Sequence, residues 1–448
     1  MYKIILPLRY LVKRRSTLLA VSAVALSVFM ASVVLTVMHG LVGDFKEKNH
    51  QFVGDCVVST RSLVGFAYYE PFVEQLEAMP QVTAVSEVVK SYGLFTMGNQ
   101  HSGGVQIVGI DPIRHGRATG FAAGIHYHAG DPASLFEPGY DPNLPGCVFG
   151  IDRIFRKDDD GAYQYDPCVP HVGFDITCFP LTARGMLMRG GLGSVSSKRF
   201  YLSDVSWSGL ARVDDHYVYL PRAEAQTLCG MGGRDKRINA IHVKFSEGVT
   251  AAEGTERVRD LWTDYRENRS GASLAFLMDK VTVSDWKRHR RASIAGMEKE
   301  ETAMIILFLL VGFTTVFIVF VVFYMIVTHK VKDIGILKSM GASNMDIMAL
   351  FGGFAFLVGL CGAALGLLGG WQFLRQINAL EDWLNDHIGF QVWDRSMFAI
   401  GDIPHDIEPA VMGAIGISAI FACLFGALLP TWQAARLRPI ETLQVNQI

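Results

Sequence analysis

The stretch AMIILFLLVGFTTVFIVFVVFYMIVT, which occupies Ala303–Thr328, decides the fold class of this chain. No Asp, Glu, Lys or Arg occurs at any of its positions. A helix of about 20 apolar residues is long enough to cross the hydrocarbon core of a bilayer, which is roughly 30 Å thick. The sequence therefore predicts a transmembrane helix here.

Three further stretches also lack all four charged residue types: Ser16–Gly43, Ile347–Leu374 and Pro409–Ala435. Together with residues 303–328 they predict four transmembrane helices. Residues 44–302 separate the first helix from the second and are long enough for a soluble domain of their own. The expected fold is a membrane α-helical protein with four transmembrane helices and a large α+β extracytoplasmic domain between helices 1 and 2.

The charges between the helices predict the orientation, because cytoplasmic loops carry an excess of Lys and Arg. Basic residues are concentrated in 1–15, 329–346 and 436–448, whereas 375–408 is mostly acidic. We therefore expect an amphipathic N-terminal segment, a short loop and a tail in the cytoplasm, with the large domain and the 375–408 loop outside. A basic cluster at 287–291 disagrees, but long translocated domains are largely exempt from this rule.

Composition and motifs argue against catalysis and against nucleic-acid binding. The net charge of −2 differs from the clearly basic balance of a nucleic-acid-binding domain. We find no phosphate-loop, zinc-protease or serine-hydrolase motif in the sequence. Gly190, Gly191 and Gly193 indicate a flexible loop, and His126 with His128 indicates a loop pair more than a metal site. We predict no catalytic, cofactor-binding or metal-binding residue.

The predicted transmembrane helices are almost free of ionisable groups. His39, near the outer end of the first, is the exception. Ion-coupled carriers retain charged residues in the membrane because these carry protons or substrate. Gly362, Gly366 and Gly370 recur every four residues and predict a groove for close helix packing. This pattern favours packing inside the bundle over a seam between two subunits.

Seven cysteines occur, of which Cys361 and Cys423 lie in predicted transmembrane helices. The five in the soluble domain allow at most two disulfides and leave one thiol over. Whether any disulfide forms stays open, with Cys168 and Cys178 the nearest pair in sequence. The five are Cys56, Cys147, Cys168, Cys178 and Cys229.

Short alternating, β-branched segments predict strands in the soluble domain. They are Cys56–Thr60, Val82–Val89, Gly93–Met97, Val105–Ile110, Tyr217–Leu220 and Ile238–Phe245. Glu70–Ala78 and Ala251–Arg266 have helical spacing. We also expect a stalk helix from Lys287 that continues without a break into the second transmembrane helix.

The loop between the second and third transmembrane helices reads HKVKDIGILKSMGAS at His329–Ser343. Ile334, Leu337 and Met340 recur every three residues beside lysines, and Gly341 is a natural helix end. This short amphipathic helix suits either a lipid surface or a groove on a cytoplasmic partner, and the residues alone do not distinguish the two.

Several segments resemble the permease subunits of ABC transporters of the FtsX-like/MacB-like superfamily, most closely the lipoprotein-releasing LolC/LolE-type branch. The tail Leu429–Leu443 (LPTWQAARLRPIETL) is similar to the family's C-terminal signature, and Lys332–Ala342 (KDIGILKSMGA) to its coupling-helix signature. Weaker similarities lie at Leu8–Arg15, Val34–Leu41, Ile107–Pro112, Val218–Leu228 and Ile238–Val243. His39 stands where the family usually has Asn.

The resemblance implies a non-catalytic permease of the cell inner membrane that pairs with itself or with a paralogous subunit. It further implies two copies of a separate ABC ATPase at the cytoplasmic face, where the ATP is bound. Membrane lipid is a further partner, and a lipoprotein and a periplasmic chaperone are candidate ones. The coupling helix would consist of Lys332, Asp333, Ile334, Leu337, Lys338 and Gly341.

Two functions remain open at this point. The first is the release of lipoproteins or other envelope cargo, driven by movements of the periplasmic domain. The alternative is an FtsX-like regulator that activates a periplasmic cell-wall hydrolase, although such regulators normally have a much smaller outer domain.

Overall fold

The computed structural model describes residues 15–98, 101–158, 162–164, 173–188, 195–389, 403–404 and 408–436. Four segments or residues named in the sequence predictions lie outside these ranges. They are the N-terminal segment up to residue 14, the tail beyond Arg436, Cys168 and the glycine-rich stretch at 190–193.

Four long apolar helices confirm the predicted membrane architecture. They are α1 (Arg15–Val53), α10 (Arg291–His329), α12 (Asn344–Ile388) and α13 (Pro409–Arg436). Each is long and apolar enough to cross a bilayer. The first, second and third extend beyond the predicted apolar stretches, and where the bilayer begins and ends along them stays a prediction.

The chain forms two compact units. One comprises residues up to Gly43 together with those that follow Gly296, and contains most of the membrane helices. The other consists mainly of Asp44–Ala295 and contains all the strands. The predicted order, with a large mixed domain between the first and second membrane helices, is confirmed.

The soluble unit is built on a nine-stranded sheet with the order β13-β1-β12-β3-β4-β10-β5-β9-β8 among the described residues. The strands are β1 (Cys56–Thr60), β2 (Phe66–Ala67), β3 (Val82–Met97), β4 (His101–Ile110), β5 (Gly146–Gly150), β6 (Arg156–Lys157), β7 (Tyr163–Gln164), β8 (Gly173–Cys178), β9 (Ser196–Ser206), β10 (Tyr217–Pro221), β11 (Arg237–Ile238), β12 (Ala240–Phe245) and β13 (Val281–Asp285).

Strand β3 is one continuous strand where the sequence predicted two. Its first half pairs with β12 and its second half pairs with β8. Since β8 also pairs with β9 at the far end of the row, six of the strands form a closed barrel. A Cβ at Gly93 would lie 2.5 Å from the Thr177 carbonyl oxygen of β8, so this closure requires glycine.

The remaining helices are shorter. They are α2 (Glu70–Glu77), α3 (Pro112–Ala118), α4 (Ile151–Ile154), α5 (Ala211–His216), α6 (Arg222–Leu228), α7 (Ala251–Glu267), α8 (Ala275–Met278), α9 (Trp286–His289) and α11 (Val331–Ser339). Helices α2 and α7 follow the sequence prediction closely. The helical spacing places Val258, Leu261, Trp262 and Tyr265 on one face of α7, and of these Leu261 is partly buried and the other three are buried.

The stalk helix differs from the prediction in where it begins. Asp285 caps α9, which ends after one turn at Arg290, and α10 then starts at Arg291. The Arg290 guanidinium donates a 2.7 Å hydrogen bond from Nε to Asn49 Oδ1 and lies over the Phe52 ring. These contacts with the end of α1 hold Arg290 outside a continuous helix. From Arg291 to His329 the helix is unbroken.

Candidate functional site

The loop between α10 and α12 is a defined helix–turn–helix. Helix α11 ends in a Schellman motif, in which Ala342 N donates to Leu337 O at 3.1 Å and Gly341 N to Lys338 O at 3.0 Å. Gly341 has φ +98°, a left-handed conformation that favours glycine. Ser343 then begins α12 with a capping box to Asp346. The turn is therefore fixed at one end by backbone hydrogen bonds and at the other by hydrogen bonds between side chains and backbone.

One face of α11 packs against the chain's own membrane helices. Ile334 is buried and Leu337 partly buried in a cluster that includes Phe323 of α10 and Ile347 of α12. Lys338 Nζ donates a 2.6 Å hydrogen bond to Ala435 O in the last turn of α13. A cation at this position also stabilises the negative end of the helix dipole.

The opposite side of the loop presents apolar side chains to solvent. Ile336 is 50% exposed, Met340 79% and Met345 73%. Lys332 is also exposed. We call Ile336, Met340 and Met345 the outward face of the loop.

The six predicted coupling residues divide between these two sides. Ile334, Leu337 and Lys338 contact the chain itself, and Asp333 pairs with Lys330. Gly341 shapes the turn. Lys332 is exposed, and the Asp333 side chain is 48% exposed in spite of its pairing with Lys330.

The sequence pattern placed Met340 on the same face as Ile334 and missed Ile336 and Met345. At 3.6 residues per turn, a position six residues along a helix is about 120° away from the first. Met340 is also the cap residue that follows α11. The helical angle alone could therefore have shown that Met340 and Ile334 lie on different faces. Which of the two faces is buried depends on packing against the other helices.

The glycines of α12 lie against α1 in the same chain. A Cβ on Gly362 would come within 2.7 Å of Val24 Cγ1, and one on Gly366 within 2.6 Å of Ala25 O. Gly370 faces Ser32. The stripe therefore brings two backbones of one bundle close together, as small residues do between membrane helices.

His39 joins three segments at one end of the membrane unit. Its Nδ1 lies 3.1 Å from Glu301 Oε1 of α10, and its Nε2 lies 3.2 Å from Glu408 Oε2, just before α13. The His39 and Glu408 side chains are more than half exposed, whereas Glu301 is 22% exposed. One imidazole thus links α1, α10 and the residue that precedes α13.

The candidate metal histidines have a structural role. The Asp204 carboxylate is fully buried and accepts hydrogen bonds from the backbone nitrogens of His126, Tyr127 and His128. It also lies 3.0 Å from His128 Nδ1. Within the described residues, no group of three or more His, Cys, Asp or Glu side chains could hold a metal ion.

The cysteines meet in a pair that the sequence did not indicate. Cys178 of β8 and Cys229, which caps α6, are both buried, and their Sγ atoms are 3.5 Å apart. Both are free thiols in this structure. Burial raises the pKa of the Cys147 and Cys56 thiols, the latter to about 12, so these two are poor nucleophiles.

The membrane unit matches a known family. The family model described as FtsX-like permease C-terminal matches residues 305–439. LolC of Neisseria meningitidis, a lipoprotein-releasing system transmembrane protein, is 24% identical over 458 residues, which cover 98% of this chain and 97% of that protein.

Two further similarities cover about half of the chain. LolC of Xylella fastidiosa is 25% identical over 251 residues, and the match spans 55% of this chain and 55% of that protein. The solved periplasmic region of MacB from Actinobacillus actinomycetemcomitans has a TM-score of 0.30 and 11% identity, covering 54% of this chain and 94% of that one. The chain therefore has four helices long enough to span a membrane, matches the FtsX-like permease family over residues 305–439, and is similar to LolC over nearly its whole length.

Proposed function

We propose that this chain is the membrane subunit of an ABC transporter of the inner membrane and has no chemistry of its own. The observation that carries the proposal is the outward face of the 329–346 loop, where Ile336, Met340 and Met345 are exposed on a turn fixed by two caps. Exposed apolar side chains on a rigid support are suited to a partner's groove. The partner is a separate ABC ATPase, two copies of which serve a pair of permease subunits.

The inward face of the loop gives this docking a mechanical consequence. Ile334 and Leu337 are packed into the cluster of membrane helices. A force that a bound partner exerts on Met340 is therefore transmitted to α10, α12 and α13. Helix α10 is continuous from Arg291 to His329, and its first residues belong to the soluble unit. An unbroken helix is stiff along its axis, so we infer that movements at the cytoplasmic end reach the outer domain.

The work done outside is the release of a lipoprotein or a similar envelope cargo. The similarity to lipoprotein-releasing LolC over nearly the whole chain supports release over activation of a cell-wall hydrolase. In this proposal the loop and both termini lie in the cytoplasm and the domain of residues 44–302 lies in the periplasm, as the distribution of Lys and Arg predicts. The second permease is an identical or a paralogous chain.

The test is co-purification of the full chain, in mild detergent, with an ABC ATPase of the lipoprotein-releasing type. Ile336→Asp and Met340→Asp are expected to reduce bound ATPase, and its stimulation by the permease, by about tenfold or more, since loss of an interface hot spot costs about 2 kcal/mol or more. Met186→Asp is the matched control, because Met186 is 63% exposed in the soluble unit.

Leu337→Asp is less suitable for this test. Leu337 is partly buried against the chain's own helices, so a carboxylate there is expected to lower the stability of the permease itself. If Ile336→Asp and Met340→Asp both retain wild-type binding and stimulation, the proposed docking surface is refuted.

A further inference from the structure

A cavity of about 810 Å³ lies along the edge strand β13 of the soluble unit. Residues of β1, α7, β13 and α9 form its walls, and Lys90 of β3 and Asn239 reach it from the sheet. Six cationic side chains line it. They are Arg61, Lys90, Arg259, Arg266, Lys280 and Arg288. Among the described residues of the lining, none is Asp or Glu.

These six cationic side chains come from distant parts of the chain, and their positive charges are not balanced by carboxylates in the described ranges. Within the described part of the chain, none of the six forms an ion pair with a carboxylate. Arg259 makes a single long contact, 3.4 Å from Nη2 to the Val283 carbonyl oxygen. Like charges gathered at one site repel one another, and an anion at their centre would relieve that repulsion.

Exposure within the cavity is graded. Arg61, Arg259, Lys280 and Arg288 are exposed at its mouth, whereas Lys90 and Arg266 are half-buried. Burial, and secondly the charge of Arg290, lower the pKa of Lys90 to about 8. The ammonium of Lys90 thus lies in surroundings that disfavour its charge, with no carboxylate paired to it among the described residues.

The neutral groups of the lining suit the same ligand. Burial and the neighbouring Lys90 lower the pKa of His289 to about 3, so its imidazole is neutral at ordinary pH. Hydroxyl and amide groups supply further hydrogen-bond donors to an oxyanion. They belong to Ser59, Thr60, Ser62, Ser284 and the second N–H of the Asn239 amide, whereas the Thr263 and Thr282 hydroxyls donate to the carbonyl oxygens of Arg259 and Ser59.

Arginine guanidinium groups bind phosphate oxygens in a bidentate geometry, which favours oxyanions over halide ions. The volume lies within the range of about 300–1,000 Å³ typical of small-molecule sites, so a single phosphate leaves most of it empty. We propose that the basic cavity along β13 binds a ligand that carries two or more negative charges on its phosphoryl groups. Such charges occur on free phosphorylated small molecules and on acidic phospholipid headgroups.

The proposal concerns the soluble unit alone and does not depend on the coupling loop. Either can fail while the other holds. The test is isothermal titration calorimetry of the full chain in an uncharged detergent, at constant chloride and without phosphate or sulfate. The probes are inorganic pyrophosphate, dioctanoyl phosphatidic acid and, as the zwitterionic control, dioctanoyl phosphatidylcholine.

The double variant Arg61→Gln/Arg266→Gln is expected to weaken binding of the anionic probes tenfold or more. Arg257→Gln, on the same helix but outside the cavity and paired with Glu253, is expected to bind like the wild type. Thermal unfolding of both variants is measured alongside, so that a folding defect is recognised.

Each outcome decides the proposal. Preference for pyrophosphate supports a free phosphorylated ligand, and preference for phosphatidic acid supports a headgroup. Absence of binding by both at millimolar concentration overturns the proposal. So does equal binding of phosphatidylcholine, or an equal loss of binding in Arg257→Gln, since both would indicate a non-specific effect.

Discussion

Single buried residues of the soluble unit carry charges that folding must accommodate. Asp214 is fully buried, and its Oδ1 accepts hydrogen bonds from Ser208 N at 2.8 Å and Ser208 Oγ at 2.7 Å. Burial raises the pKa of Asp214 to about 6 in spite of these bonds. The native state therefore binds the Asp214 proton more tightly than the unfolded chain does.

The sign of the pH effect at Asp214 follows from this raised pKa. The stabilisation by protonation is complete below the ordinary carboxyl pKa of about 4 and is lost as the pH rises through about 6. Asp214→Asn, which is neutral throughout, is expected to be more stable than the wild type at pH 8 by up to about 3 kcal/mol. At pH 4 this gain should vanish.

Thermal unfolding of the full chain in detergent, followed by tryptophan fluorescence, measures this difference. Asp215→Asn is the control, since Asp215 is adjacent but its side chain is 42% exposed. The interpretation of Asp214 is wrong if the stability of Asp214→Asn relative to the wild type does not increase from pH 4 to pH 8. It is also wrong if Asp215→Asn shows an equal increase.

The cysteines show how far residue-scale prediction extends. Cys168 and Cys178 are the nearest pair in sequence, but Cys168 lies outside the described residues; among those, Cys229 lies beside Cys178. Fifty-one positions separate these two. Proximity in sequence is a weak guide when strands and helices between two residues fold back, as β8 and α6 do here.

Among the elements, the contact between α12 and α1 depends on glycine. A side chain at Gly366 would collide with the Ala25 carbonyl oxygen, and a backbone atom cannot move aside without displacing α1. Gly366→Val is therefore expected to lower the free energy of unfolding by about 1–3 kcal/mol, the usual cost of overpacking. Thermal unfolding and monodispersity in detergent report the effect.

Gly353→Val is the matched control for the glycine stripe. Gly353 lies on the same helix, and nothing is within 4 Å of its added Cβ. Both substitutions have the same intrinsic cost or gain in a helix, so the difference between them isolates the contact with α1. Equal stability of the two variants would contradict the packing described for Gly366.

Element boundaries were predictable where the pattern is local. Helix α7 and strand β1 have the expected limits because burial periodicity and caps are encoded within them. The sequence predicted two strands in place of β3 because Lys90–Tyr92 interrupts the apolar run. The pairing of the two halves of β3 with different strands is a long-range property that this run does not encode. The break at Arg290 likewise depends on Asn49 and Phe52, far away in sequence.

At the scale of the whole molecule, the outstanding prediction is the orientation in the membrane. We expect Met340→Cys, on the exposed turn, to react with a membrane-impermeant maleimide only after the cytoplasmic membrane is opened. Met186→Cys should react in intact spheroplasts, because Met186 is exposed in the domain placed outside. The wild-type chain, in which the described cysteines of the soluble unit are buried, gives the background.

The reverse labelling pattern would contradict the predicted orientation. Reaction of Met340→Cys in intact spheroplasts, with protection of Met186→Cys, would place the loop outside and refute the assignment of an ATPase to it. Mass spectrometry of the labelled peptide distinguishes the introduced cysteine from the native ones.

The sequence by itself determined the membrane character, the four long helices and the position of the soluble domain. An apolar helix satisfies its own backbone hydrogen bonds within the segment, so its presence can be predicted from length and composition without a distant partner. The Schellman turn at Gly341 and the cap at Ser343 are local in the same sense.

Only the tertiary structure decided which side of each element is used. It turned Ile334 and Leu337 inward and left Ile336 and Met340 outward, and it closed the barrel through Gly93. It also gathered Arg61, Lys90, Arg259, Arg266, Lys280 and Arg288 around one cavity. Such groupings arise from contacts between segments up to about two hundred residues apart, and no periodicity within a single segment encodes them.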